Sequence, residues 1–180
     1  AKVFFLPDHE LPLIDMTIYV KAGAVDLQDS EAGLTDLLDG TIIRGGTKSR
    51  SPVELAMLLD DNAIKMGVDI GLEETAIKLS VMSSDWEKGL GILREVLTQP
   101  RFDAKVLEVA KEQALANLGR QGEDAQAVAM RESMIWHFKG HPYGRDPLAA
   151  TKVIPTITRD DLRRFLSTHF VPANMVVAVS

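Results

Sequence analysis

Two acidic side chains stand close enough in the sequence to act together. Asp36 and Asp39 lie three residues apart in the segment EAGLTDLLDGTIIRGGT, residues 31–47, and Gly40 follows directly. Residues three and four apart project from the same side of a helix, so the pair could transfer protons or bind a hard cation. The alternative is a role without chemistry, in which both acids cap the helix, pair with a base or face solvent on a helix that lines a pocket.

A helix is predicted to position that pair. Apolar residues recur at helical spacing and predict a buried face, formed by Leu34, Leu37, Leu38 and Ile42. Ser30 can cap this helix through its hydroxyl group, and the acid Glu31 suits the first turn. Gly45-Gly46 is predicted to end it, because glycine readily adopts the left-handed conformation that stops a helix.

The other side chains that could bind a metal or attack a substrate do not form a site in the sequence. The chain has no cysteine, which excludes disulfides and thiolate ligands. No serine has a histidine at a spacing that supports a nucleophile and its base. His137 and His141 are four apart, but a glycine and a proline break the helix that a metal pair would need. His9 is predicted to be exposed in a turn, and His169 to end the last helix.

Length and composition indicate one globular domain. The chain has 180 residues, 46% of them hydrophobic and 26% charged, which is enough to bury a sizeable core. The net charge is −6, and acids and bases are mixed along the chain, so we expect no nucleic-acid partner. No apolar run is long enough to predict a membrane span. No signal peptide is recognised, although one could have been removed, so the compartment stays open.

Patterns of apolar residues predict a sheet and several helices. Five strands are predicted, at residues 3–6, 13–21, 64–70, 75–82 and 174–179, with the third and fourth as a hairpin. Helices are predicted to begin at Ser51-Pro52, Asp85, Asp103, Ala125 and Thr158. The strand-rich first half and helix-rich second half predict an α+β fold, a mostly antiparallel sheet with helices packed on one face.

Two of these helices have predicted buried faces of their own. The helix after Asp85 is expected to pack through Trp86, Leu90, Leu93 and Leu97. The helix after Asp103 is expected to present a stripe formed by Val106, Val109, Ala110, Gln113, Ala114 and Asn117.

Several short motifs occur in an order that resembles one known family. They are Gly33-Leu34-Thr35, Leu37-Leu38, Arg44-Gly45-Gly46-Thr47, His141-Pro142-Tyr143-Gly144-Arg145, Thr158-Arg159-Asp160-Asp161-Leu162 and Pro172-Ala173-Asn174-Met175. Together they resemble the first domain of the pitrilysin/insulinase class of zinc peptidases, which includes the mitochondrial processing peptidases and bacterial relatives. The resemblance covers essentially the whole chain.

The resemblance implies where catalytic residues would stand. Active members carry an inverted zinc motif, His-x-x-Glu-His, within this frame. Here the first ligand position is Asp36, the general-base position is Asp39 and the second ligand position is Gly40. The third ligand, a Glu on a later helix in active relatives, corresponds to Asn117. We therefore expect no catalytic residue, no metal ligand set and no cofactor in this domain, with zinc only in an active partner.

The resemblance also implies a role without catalysis. Residues 1–180 are expected to form one peptidase-like domain, the N-terminal half of a longer two-domain subunit. It would pair with an active zinc-peptidase half or subunit, in one chain or as a heterodimer, and help to form the cavity that encloses the substrate. The bacterial relatives slightly favour the periplasm over the cytoplasm.

Two further possibilities accompany that role. The predicted strand at residues 64–70 corresponds to the strand that holds extended peptide in active relatives. It could therefore bind a peptide substrate or be covered by the partner half. The alternative function is a hydrolase that uses a non-standard metal or carboxylate site at Asp36 and Asp39, with Asn117 as a further oxygen donor for a hard cation.

Overall fold

The computed structural model describes residues 1–8 and 10–180. The prediction that His9 is exposed in a turn lies outside the described residues. Five strands form one sheet: β1 (Lys2–Phe5), β2 (Leu13–Val20), β3 (Lys65–Ile70), β4 (Thr75–Met82) and β5 (Met175–Val179). Their order across the sheet is β1-β5-β2-β4-β3. Only the β1–β5 pair is parallel, and the others are antiparallel.

Seven α-helices accompany the sheet. They are α1 (Leu34–Thr41), α2 (Pro52–Asp61), α3 (Trp86–Thr98), α4 (Ala104–Glu123), α5 (Ala125–His137), α6 (Ala150–Val153) and α7 (Arg159–His169). The predicted start of α2 is confirmed, because the Ser51 hydroxyl accepts from the Glu54 N–H at 3.3 Å, and the Glu54 carboxylate accepts from the Ser51 N–H at 2.7 Å. Thr158 caps α7 through the same reciprocal pattern.

The core lies between the helices and one face of the sheet. Along β2 the buried residues alternate with more exposed ones, and Met16, Ile18 and Val20 face the core. On the neighbouring β4 the core side consists of Ile77, Leu79 and Val81. The predicted α+β fold, with a mostly antiparallel sheet and helices packed on one face, is confirmed.

The helix that carries the two acids begins later than predicted. Its N-cap is Gly33, which has φ = 87°, a left-handed conformation that glycine adopts without strain. Ser30 and Glu31 belong to a preceding 3-10 turn, in which the Glu31 carboxylate accepts from the Gln28 N–H at 3.0 Å. The predicted Ser30 cap is therefore wrong. The predicted helix end at Gly45-Gly46 is also wrong, because α1 ends at Thr41, although Gly46 does adopt the left-handed conformation, with φ = 74°.

The buried face of α3 is rotated from the predicted one. The residues that are actually buried are Gly89, Ile92, Leu93 and Val96. A Cβ atom on Gly89 would lie 3.3 Å from both Val81 methyl groups, so α3 packs closely against β4 at a glycine, which hydrophobicity does not reveal. Asp85 occupies the N-cap position without a capping hydrogen bond, and its carboxylate accepts from Ser84 and Lys88 instead.

The buried face of α4 also differs from the predicted stripe. Leu107, Ala110 and Leu118 are buried, whereas Val109 is 51% exposed and Asn117 is exposed. A broad apolar stripe leaves the rotation of a helix open by about one residue, and here the contact with α1 determines it.

The buried face of α1 should make a large contribution to stability. Leu37 and Leu38 are completely inaccessible to solvent, so replacing either by alanine leaves a cavity and should reduce the free energy of unfolding by about 2–4 kcal/mol. Asp36→Ala, on the exposed side of the same helix, is the matched control and should change it by less than about 1 kcal/mol. Urea denaturation measures all three variants. The reverse order of effects would contradict the observed orientation of α1.

A carboxylate on α3 holds the segment that follows α1. Glu95 accepts hydrogen bonds from the hydroxyls of Thr47 and Ser49 and forms an ion pair with Arg50. Its side chain is only 16% exposed. These interactions, with the Ser49 hydrogen bond first among them, lower the pKa of Glu95 below the ordinary value of 4.5.

The Glu95 cluster should make stability depend on pH. A carboxyl group whose pKa is lower in the folded state stabilises the fold above its unfolded pKa and loses that contribution as the pH falls through the folded pKa. Glu95→Gln should therefore reduce the free energy of unfolding by about 1–2 kcal/mol at pH 7, and the difference from the wild type should shrink as the pH drops below about 4.5. Urea denaturation across that range measures it. Glu112→Gln, at an exposed position on α4, should show neither effect.

Candidate functional site

The four positions singled out in the sequence lie on two helices that touch. Asp36, Asp39 and Gly40 are on α1, and Asn117 is on α4. A Cβ atom built on Gly40 would lie 3.3 Å from the Cβ atom of Ala110, so this glycine is where α1 meets α4. Asn117 follows Ala110 by seven residues and therefore lies on the same side of α4, about 10 Å further along the helix.

The polar groups at these positions have few partners. Asp36 and Asp39 are exposed and form no ion pair or side-chain hydrogen bond within the described part of the chain. The Asn117 side-chain oxygen accepts a hydrogen bond from the Arg120 guanidinium on the next turn. The structure thus places Asp36 and Asp39 side by side, whereas the Asn117 oxygen is directed to a neighbour on its own helix.

The pKa values of both aspartates are raised above the ordinary value of 3.8. Although solvent reaches the Asp36 carboxylate, the surrounding protein withdraws it partly from water, and this desolvation raises its pKa, with a further increase from the charge of Asp39. The pKa of Asp39 is also raised, first by desolvation and then by Asp69 on β3, while Arg44 opposes the shift. The influence of Asp69 could not be recognised in the sequence, because thirty residues separate it from Asp39 and only the packing of α1 against β3 brings them close.

A cavity of about 470 Å³ begins beside Asp36. The start of α1 forms one side, and the turn between β3 and β4 forms another, through Gly71 and Leu72. Leu118 of α4 and Met134 of α5 contribute apolar side chains to the wall of the cavity. The cavity therefore combines a mostly apolar lining with a carboxylate that has no cationic partner among the described residues.

The loop at residues 141–145 closes one side of this cavity. The Tyr143 hydroxyl donates to the Glu73 carboxylate in the β3–β4 turn. Arg145 lies 3.3 Å from an Asp29 carboxylate oxygen and donates to the Ala24 carbonyl oxygen at 3.3 Å. His141 has a local role, because its Nδ1 accepts from the Tyr143 N–H at 3.2 Å.

His137 and His141 do not share one helix, as the sequence predicts. The α5 helix ends at His137, and Gly140 has φ = 83°, so no continuous helical face carries His137 and His141. In the described part of the chain, no group of three or more His, Cys, Asp or Glu residues is placed to hold a metal ion.

The sheet ends at β3 on the side nearest the two aspartates. β3 pairs only with β4 in the described sheet, as expected of the predicted edge strand at residues 64–70. A Cβ atom on Gly67 would meet nothing within 4 Å, so no other atom covers the face of β3 at this residue. None of the described helices is long and apolar enough to cross a membrane.

Comparison with known proteins assigns the chain to a family. The sequence profile of the family described as Insulinase (Peptidase family M16) matches residues 7–150. A Helicobacter pylori protein named non-peptidase homolog YmxG is 27% identical over 177 residues, which cover 98% of this chain and 41% of that protein.

Solved structures share the fold. A Pseudomonas fluorescens structure described as a peptidase M16 inactive domain is similar with a TM-score of 0.90 and 27% sequence identity, covering 99% of this chain and 43% of that one. The periplasmic protease PqqL of Escherichia coli is similar in fold, with a TM-score of 0.81 at 16% identity over 98% of this chain and 20% of that one. The chain spans less than half the length of each of these proteins.

Proposed function

Because this chain belongs to the insulinase family of peptidases, M16, we propose that it is a non-catalytic domain that pairs with an active peptidase half and forms part of the wall around the substrate. The proposal rests mainly on the types of residue that occupy the expected ligand positions on α1. By the family resemblance, we infer that Asp36 and Gly40 occupy positions held by histidines in active relatives, on a helix whose apolar face is fully buried.

The donor chemistry of these positions does not fit catalytic zinc. Catalytic zinc is held by three protein ligands, typically imidazole nitrogens with a carboxylate, and keeps a fourth position open for water. Gly40 offers no side-chain donor, and the Asn117 oxygen already accepts from Arg120. Asp36 is the one remaining donor among the three ligand positions, and a single carboxylate binds zinc weakly.

Two structural features support a role as cavity wall. The edge strand β3 leaves the backbone groups on its outer side unpaired within the described sheet, and exposed edges of this kind are normally covered by another element or paired with an added strand. The cavity beside Asp36 lies next to the same strand and includes Ile70 in its lining. A partner half placed against this side would cover β3 and enclose that cavity.

The size of the relatives supports a longer protein. The chain covers 41% of the Helicobacter pylori relative and 43% of the Pseudomonas fluorescens structure. We propose that residues 1–180 correspond to the N-terminal half of a two-domain subunit, with the active half either in the same subunit or in a second one.

A second candidate function rests on the two aspartates. Carboxyl groups with raised pKa values often act as general acids, and the pKa values of Asp36 and Asp39 are both raised. A hydrolase with a carboxylate or non-standard metal site here would depend on both side chains. The non-catalytic proposal requires neither.

Metal content and peptide cleavage separate the two functions. The purified domain, dialysed against zinc-free buffer, should hold well under about one zinc per chain by inductively coupled plasma analysis. It should also cleave no peptide in a fluorogenic library, because the non-catalytic proposal assigns it neither the zinc ligands nor the glutamate base of active relatives. Asp36→Asn/Asp39→Asn serves as the matched control and should behave identically. Stoichiometric metal, or cleavage that disappears in this double variant, would contradict the non-catalytic proposal and support the second function.

Restoring the ligands tests whether the helices still hold the geometry of a zinc site. The variant D36H/D39E/G40H/N117E supplies two imidazoles and a carboxylate, and should bind about one zinc per chain tightly. The histidine at position 40 would place its Cβ atom 3.3 Å from the Cβ atom of Ala110, so α4 must move by a few tenths of an ångström to accommodate it. D36H/D39E, which lacks two of the ligands, is the control and should bind weakly. A well-folded quadruple variant without zinc would mean that α1 and α4 do not hold the ligand positions together.

A further inference from the structure

A second concave surface lies away from the aspartates. This basic groove, of about 810 Å³, runs between the end of α3, the loop that follows it and α7. It shares no lining residue with the cavity beside Asp36. Its apolar lining comes from Leu97, Leu166 and Phe170, of which Leu166 is 5% exposed and the other two are half-buried.

The rim of the basic groove is strongly cationic. Four of its eleven lining residues are basic and none is acidic, although acids outnumber bases in the whole chain by 26 to 20. The four bases are Lys48, Arg101, Arg159 and Arg163, and all are exposed. They come from the segment after α1, the segment after α3 and the first two turns of α7. Folding therefore brings together positive charges that lie far apart in the sequence.

Two of these cations form no ion pair with any residue that the structure describes. Arg163 lies 2.7 Å from an Asp160 carboxylate oxygen, and Arg101 lies 3.7 Å from Asp103. Lys48 and Arg159 form no ion pair with any described residue. Arg163 also donates to the Arg101 carbonyl oxygen at 3.2 Å, which fixes it against the loop. The rim thus has two arginines that are paired with carboxylates, and two cations without an ion pair to any described residue.

We propose that the basic groove binds an acidic segment of a partner protein, with an apolar side chain on the groove floor and carboxylates against Lys48 and Arg159. A carboxylate complements Lys48 and Arg159, and burial of the still exposed parts of Leu97 and Phe170 supplies the apolar contribution to affinity. A small inorganic anion would leave that floor uncovered. A nucleic acid needs a positive field over several phosphates, whereas the net charge of this chain is −6.

This docking function goes beyond the proposed cavity wall. It requires neither a peptidase partner nor a peptide at β3, because the groove and the cavity have separate linings. An acidic ligand could therefore bind here even if the domain had no active half beside it.

Selection from a random peptide library tests the docking function. Phage-displayed dodecapeptides are selected on the immobilised chain, and one selected peptide is labelled with fluorescein for polarisation measurements. The selected peptides should carry several Asp or Glu residues together with Leu, Ile or Phe. The double variant K48E/R159E should weaken binding of the labelled peptide by about tenfold or more, and added salt should weaken binding to the wild type.

The matched control has the same change in net charge. K139E/K152E reverses two exposed lysines that do not line the groove, and it should bind the peptide within about twofold of the wild type. Circular dichroism checks that both double variants fold. If K48E/R159E does not fold, Lys48→Gln and Arg159→Gln are compared singly with Lys139→Gln.

Three results would overturn the docking function. The selected peptides could lack an excess of acids, or they could bind K48E/R159E as well as they bind K139E/K152E. A short labelled oligothymidylate could also bind in a manner that depends on Lys48 and Arg159 while no acidic peptide does, which would identify the groove as a nucleic-acid site instead.

Discussion

The burial of one face of α1 is the contact on which the rest of the domain depends. Its four apolar side chains, Leu34, Leu37, Leu38 and Ile42, are completely inaccessible to solvent, and the helix contacts β3, α4 and α7. At Gly33 a Cβ atom would lie 2.6 Å from the Ile154 side chain, so the chain can enter the helix here only as glycine. The leucines and glycines of this frame are therefore required by packing alone, whatever the ligand positions hold.

The ligand positions lie on the other side of α1, where packing requires much less. Asp36 and Asp39 are exposed, so histidine, glutamate or aspartate can stand there with little effect on the core. Gly40 is the exception, because it faces Ala110 of α4. This separation of a packing face from a chemical face explains how the family's fold can be complete in a domain whose donors do not fit zinc.

Electrostatics give the two sides of the molecule different properties. The pKa values of Asp36 and Asp39 are raised, first by desolvation and then by a neighbouring carboxylate, and the cavity beside Asp36 is also lined by Arg131 and Arg145. The basic groove gathers four cations from three separate segments. A partner that covers β3 would therefore meet a surface of mixed charge, whereas one that enters the groove would meet a basic surface.

Periodicity and local signals in the sequence alone determined most of the elements. The alternation in β2, the cap at Ser51, the hairpin of β3 and β4 and the buried leucines of α1 were all predictable, because each depends on residues close together in the chain. The motif order also identified the family, and it predicts that Asp36, Asp39, Gly40 and Asn117 stand at the ligand and base positions of active relatives. What the tertiary structure decided depends on distant residues. The rotation of α3 follows from a close approach at Gly89, and the start of α1 at Gly33 follows from contact with Ile154. Neither the Asp39–Asp69 proximity nor the basic groove leaves a local pattern, because each exists only once separate segments pack together.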